Sequence, residues 1–319
     1  MSDLDGFRQE IRDWLEANCP AEMREPARDE ADICWGGRNF KFKNPAQKAW
    51  LEACVAKGYT VPDWPEAYGG AGMSPAQAKI WREECARIGA RPPLSSFGIW
   101  MLGPALLKFG TEEQKVHYLG EIARGEIRWC QGYSEPGSGS DLVSLQTFGE
   151  DRGDHWVVNG QKIWTSYADK ADWIFCLVRT DKANTYQGIS FLLFDMATPG
   201  VTTKPIKLIS GNSPFCETFF DDVKVPKHQI VGQLNRGWDV AKYLLGHERE
   251  MISGAGGGDR MNAIGAVVAR NGLDDPILRA ELAMFDVDAL AYAAMGEKFL
   301  DEAKVGKAHP AQPNMMKYV

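Results

Sequence analysis

Residues 131–142 read QGYSEPGSGSDL, and residues 155–166, HWVVNGQKIWTS, follow at a short distance. Glycine lets a backbone come close to a ligand, and successive amides flanked by serine hydroxyls can cradle a phosphate or the polar edge of a ring. The same composition also makes an ordinary surface turn. In the second stretch Asn159-Gly160 stands between two alternating runs, which predicts a hairpin turn at that dipeptide. A glycine- and serine-rich loop, running into a sheet, is the unit around which the rest of the chain is arranged.

Upstream the pattern is helical. Leu4, Phe7, Ile11, Trp14 and Leu15 recur at helical spacing until Pro20. AQKAWLEACVAKG (46–58) and SPAQAKIWREECARIG (74–89) predict two more helices, and Thr111 with Gln114 has the spacing of a capping box at the head of another. The loop WPEAYGGAGM (64–73) interrupts them. Downstream, WIFCLVRT (173–180), GISFLLFDM (188–196), VTTKPIKLI (201–209) and TFFDDVKV (218–225) read as strands, with Pro226 at the exit because it has no N–H to give a ladder. Helical pattern resumes at GWDVAKYLLGHERE (237–250) and continues through residues 280–305; the glycines between 254 and 258 predict either a break or very close packing.

Of the 319 residues 44% are apolar and 25% charged, enough to bury a core in two or three domains. No apolar run has membrane-spanning length, and the acidic N-terminus lacks the features of a signal peptide, so a cytoplasmic location is expected. Seven scattered cysteines without a CxxC pair read as reduced, mostly packed thiols, and the five dispersed histidines give no metal-binding spacing. A net charge of −7 with no basic stripe speaks against nucleic acid as a partner.

YSEPGSGSD (133–141) followed by WVVNGQKIWTS resembles the central-domain signature of the acyl-CoA dehydrogenase family. WPEAYGGAG, FGTEEQKVHYLGEIARGE (109–126), FFDDVKVP (219–226) and NRGWDVAKYLLGHER (235–249) resemble further family segments, in the family's order. The resemblance implies an α+β fold: an N-terminal helical domain (1–126), a central β-barrel-like domain (127–229) and a C-terminal helical domain (230–319), with FAD between the last two. It implies flavin contacts from Gln131, Tyr133, Ser134, Ser140, Trp164, Thr165 and Ser166, and contact with the acyl-CoA thioester from Ser140 and Arg249. It implies Glu248 as the catalytic base, an electron-transferring flavoprotein as electron acceptor, and an oligomer.

This sequence departs from the family pattern at several points. Gln131 replaces a usual aromatic, Gly246 a frequent aspartate, and VARNGLDDPILRAELAMF (268–285) the usual R-x-x-F-G segment. Ending at MMKYV, the C-terminal domain is expected to be short. Taken alone, Trp164 also reads as core, Ser166 as the end of a hairpin, and Glu248 as part of a charged helix face with Lys242, Arg249 and Glu250. Glu135 and Asp141 read as structural caps. Three functions stay open: an acyl-CoA dehydrogenase, a non-catalytic subunit of a heteromeric one, and an acyl-CoA oxidase or flavin monooxygenase on the same fold.

Overall fold

Capping side chains and aromatic packing set the first helices. In α1 (Asp3–Asn18) Ile11 and Leu15 are wholly buried, and Trp14 meets Trp50, Tyr59 and Trp81 with ring centroids 4.8–5.8 Å apart. Asn44 opens α2 (Pro45–Ala56) by accepting the Gln47 N–H at 2.8 Å, and Ser74 with Gln77 closes a capping box on α3 (Pro75–Arg87). Glu84 of α3, 2% exposed, accepts from Arg8 at 2.8 Å and Arg12 at 2.9 Å across the interface with α1, and from Arg87 at 2.6 Å. The Arg12 hydrogen bond, with those of Arg8 and Arg87, outweighs burial and holds the Glu84 carboxyl down at about 2.

After α4 (Gly103–Phe109) comes α5 (Glu112–Arg124), where the Thr111 hydroxyl accepts the Gln114 N–H at 3.2 Å and the Gln114 side chain accepts the Thr111 N–H at 3.1 Å, as the spacing predicts. The computed structural model describes residues 3–254, 258–272, 274–309 and 311–315, except the side chains of residues 3, 247–254, 258–263, 300, 303, 304, 313 and 314.

The sheet comprises β1 (Trp129–Gly132), β2 (Phe148–Asp151), β3 (His155–Ser166), β4 (Trp173–Arg179), β5 (Ile189–Asp195), β6 (Val201–Ile206) and β7 (Phe215–Pro226). Its order is β1-β4-β2-β3-β7-β6, with β5 paired to β4; β1 and β2 run parallel to β4 and the other pairs are antiparallel. The sheet curls, so that Phe194 of β5 and Phe220 of β7 meet 5.3 Å apart inside it, among Val158, Ile174, Cys176, Leu192 and Val223. Strand β4 is apolar on both faces because α5 covers the outside, where Tyr118 sits edge-on to Trp129 at 5.4 Å and Trp173 at 5.2 Å.

Asn159-Gly160 is not a hairpin turn. β3 continues through the dipeptide, with a shift in its pairing to β7 between Val158 and Gly160, and the turn between β2 and β3 lies at residues 152–154, where Gly153 has φ +91°. Asn159 instead holds β7: its amide donates to Asp222 Oδ1 and its side-chain oxygen accepts the Asp222 N–H, each at 2.9 Å. Gly160 is required by close approach, since a Cβ there would lie 2.7 Å from Thr147 Cα. The local turn signal is overridden by contacts distant in sequence.

The chain divides into two compact units, Met1–Leu244 and Leu245–Val319. Helix α6 (Gly237–Gly254) passes from the first to the second, and α7 (Gly258–Arg270), α8 (Pro276–Lys304) and α9 (Gln312–Met315) follow, with residues 255–257 outside the described ones. Asp275 starts α8 by accepting the N–H groups of Ile277 and Leu278 at 2.8 and 3.0 Å. Among the described residues no helix is long and apolar enough to cross a membrane, and all seven cysteines are free thiols, six of them buried.

Candidate active site

The loop after β1 is fastened to β3 by a buried ion pair. Glu135 and Ser138 exchange backbone hydrogen bonds at 2.9 and 3.0 Å, closing a tight turn over Pro136 and Gly137. The Glu135 carboxylate accepts the backbone N–H groups of Gln146 at 2.6 Å and Thr147 at 2.9 Å, and the Lys162 ammonium at 2.7 Å. Lys162, wholly buried, also donates to the Tyr133 carbonyl at 3.1 Å. Burial pushes the Glu135 carboxyl up, but the Lys162 charge and the three hydrogen bonds outweigh it and hold it below its ordinary value. Glu135 is thus structural, as its position suggests. Asp141 makes no side-chain cap on the turn it precedes.

A β-bulge in β3 completes the arrangement. Pairing with β7 shifts between Lys162 and Thr165, and the Ile163 N–H, freed from β7, donates to the Ser134 carbonyl at 2.8 Å. Trp164, inside the bulge, has φ +60°, a left-handed conformation that costs a non-glycine residue about 1–2 kcal/mol. Its ring is 54% exposed and touches Phe215 edge-on at 6.0 Å. Bulges re-aim side chains near functional sites, and this one turns an aromatic ring outward.

The expected flavin contacts therefore converge on the junction of β1, its loop and the end of β3. Tyr133 is buried, its ring edge-on to Phe175 and Phe191 at 6.1 and 6.3 Å. Ser134 and Ser166 are half-buried, while Ser140 is exposed on the loop. Thr165 is wholly buried, and among the described residues neither its hydroxyl nor the Gln131 Nε2 has a partner. A Cβ on Gly137 or Gly139 would meet nothing, so no packing within this chain demands glycine there. Orphaned polar groups, an outward aromatic and an uncrowded glycine loop fit a flat heterocycle carrying phosphates. Glu248 and Arg249 lie on α6, but their side chains fall outside the described residues.

Lys162 is a structural residue that the motifs leave without a role, yet its place on the strand points to one. It shares the inward parity of Trp156 and Val158 on β3, and a lysine at such a position needs a buried acid, which the loop supplies in Glu135.

Comparison with known proteins agrees with this architecture. Residues 2–126 match the acyl-CoA dehydrogenase N-terminal domain family, and residues 130–223 match the acyl-CoA dehydrogenase middle domain family. Acyl-CoA dehydrogenase IpdE1 of Mycobacterium tuberculosis is 40% identical over 78% of this chain, which spans 64% of that relative's length. IpdE1 of Mycolicibacterium smegmatis is 36% identical, with 88% of this chain and 74% of the relative covered. Among solved structures, the Tcur3481-Tcur3483 steroid ACAD G363A variant superimposes with a TM-score of 0.78 at 31% identity, covering 98% of this chain and 80% of that one. The ChsE4-ChsE5 complex from Mycobacterium tuberculosis gives 0.71 at 26% identity, with 99% and 80% covered. This chain belongs to the acyl-CoA dehydrogenase family, a family of FAD-binding oxidoreductases.

Proposed function

We propose that this chain takes part in oxidising an acyl-CoA thioester to its 2,3-enoyl form, with electrons passed on to an electron-transferring flavoprotein. FAD, when bound, supplies the acceptor for the hydride leaving the β carbon. The observation that carries the reading is the outward Trp164 on its strained bulge, adjoining the Thr165 hydroxyl, which with the Gln131 Nε2 on β1 has no partner among the described residues. Trp164 would wall the flavin ring, Tyr133, Ser134, Thr165 and Ser166 would meet its polar edge, and Ser140 would lie near the diphosphate and the thioester. Arg249 would bind a coenzyme A phosphate as a planar fork. Glu248 would take the α proton, a task for a carboxylate held away from water.

The test is the visible spectrum before and after anaerobic addition of saturated acyl-CoAs. Bleaching of bound flavin is expected, and Glu248→Gln should keep the flavin but lose the bleaching. A Glu248→Gln variant that bleaches at the normal rate removes Glu248 from the mechanism.

The second reading is a subunit that completes a flavin site together with another family member. Similarity to the ChsE4-ChsE5 complex favours it. Flavin retained by the isolated chain, with full bleaching, would rule it out.

A further inference from the structure

A cavity of about 520 Å³ lies among Glu30, Trp35, Lys41, Arg128 and Lys170, and its lining includes none of the candidate site residues. Arg128, immediately before β1, is 6% exposed and lies between two rings, with its guanidinium carbon 4.8 Å from the Trp35 centroid and 5.0 Å from that of Tyr167. Among the described residues it has no ion pair, and Nη2 has no hydrogen-bond partner. The nearby Asp172 carboxylate receives the backbone N–H groups of Arg128 at 2.8 Å and Arg38 at 3.0 Å, and the guanidinium makes no hydrogen bond to it. Trp35 also lines the cavity, and its Nε1 is buried without a partner among the described residues.

The position of Trp35 is fixed by its neighbours. Gly36 and Gly37 both have positive φ, and a Cβ would lie 2.4 Å from the Gly125 carbonyl oxygen in the first case and 2.8 Å from Arg128 Cβ in the second. The turn therefore admits only glycine and keeps Trp35 on the guanidinium. Burying a cation with an unused donor is costly, and ring contacts offset only part of that cost.

The charges on the lining are Lys41, Arg128 and Lys170 against Glu30 and Asp169, an excess of one positive charge. Lys170 is already paired with Glu30 at 2.8 Å, and Asp169 accepts from the Cys216 thiol at 3.5 Å. One unpaired, buried arginine suits a monoanion better than a dianionic phosphate. We propose that this cavity binds a single carboxylate group through Arg128 Nη2 and Trp35 Nε1, with an apolar body against Ile33 and Phe40. Arg128 lies three residues before Gln131, ~10 Å along the backbone; two sources of the carboxylate are tested, a free acid and the far end of an acyl group. The second source rests on the function proposed above.

The experiment is calorimetric titration of the full chain with cyclohexanecarboxylate and with its neutral carboxamide. The acid should bind at least about tenfold more tightly than the amide, and Arg128→Met should abolish the difference. Trp35→Phe, which keeps the ring and removes one donor, should weaken the acid by roughly fivefold. No binding of the acid, equal binding of acid and amide, or undiminished binding by Arg128→Met overturns the site. If Arg128→Met does not fold, undiminished binding by Trp35→Phe overturns it. Preference for the mono-CoA thioester of adipate over hexanoyl-CoA, lost in Trp35→Phe, assigns the carboxylate to the acyl group. Binding of the free acid without that preference assigns a separate ligand, and the site stands in both cases whether or not the flavin bleaches.

Discussion

Lys162 and Glu135 meet at 2.7 Å in the interior of the sheet, one from strand β3 and the other from the loop before β2. Removing one partner of such a pair strands a charge, so Lys162→Met should cost roughly 3–5 kcal/mol in urea unfolding of the flavin-free protein. Lys162→Met with Glu135→Leu should recover much of that loss. A Lys162→Met variant as stable as the parent would show that the pair does not hold the loop.

Trp164→Gly separates a packing role from a binding role. Glycine relieves the left-handed strain but gains unfolded-state freedom, and little burial is lost from a half-exposed ring, so stability should stay within about 1 kcal/mol of the parent. Flavin affinity should fall by roughly tenfold, the loss expected of an aromatic wall worth about 1.4 kcal/mol. A large fall in melting temperature with affinity unchanged would make Trp164 a core residue.

Gly160→Ala tests the correction at the Asn-Gly dipeptide. With Thr147 Oγ1 at 2.6 Å and its Cα at 2.7 Å from the new methyl, and φ at +148°, the change should cost about 2–3 kcal/mol, more than a solvent-exposed turn position would. Thermal melts of the two proteins decide it.

Acid should loosen α1 from α3. The Glu84 pKa is lower folded than unfolded, so its contribution is complete above the ordinary value of 4.5 and is lost as the pH falls through about 2. Glu84→Gln should therefore be markedly less stable than the parent at pH 7, and the gap between their melting temperatures should narrow on going to pH 3. A constant gap would refute the charge contribution.

The parts legible in the sequence are those governed by neighbours along the chain. The Thr111–Gln114 capping box lies within one helical turn, and β4 and β5 have apolar runs that no helix of that length would need. β1 and β2 are four residues each, too short to show alternation. Asn159-Gly160 has the local pattern of a turn, but its partners, Asp222 and Thr147, lie in other elements of the sheet unit. The flavin-loop residues could be named from motif resemblance, but the bulge that exposes Trp164 leaves no local pattern, since it arises where Ile163 turns from β7 to Ser134.

Besides capping its own helix, Gln114 donates from Nε2 to the carbonyls of His228 and Ile230 at 2.8 Å each, and the buried Tyr118 hydroxyl donates to Gln229 at 2.7 Å. The segment leaving β7 is thus stitched to the helix that precedes β1, more than a hundred residues away. A fragment expressed as residues 1–126 would carry these groups into water together with the aromatic face of Tyr118. It should be recovered as an aggregate or a protease-sensitive chain, whereas residues 1–244 should yield a protease-resistant species.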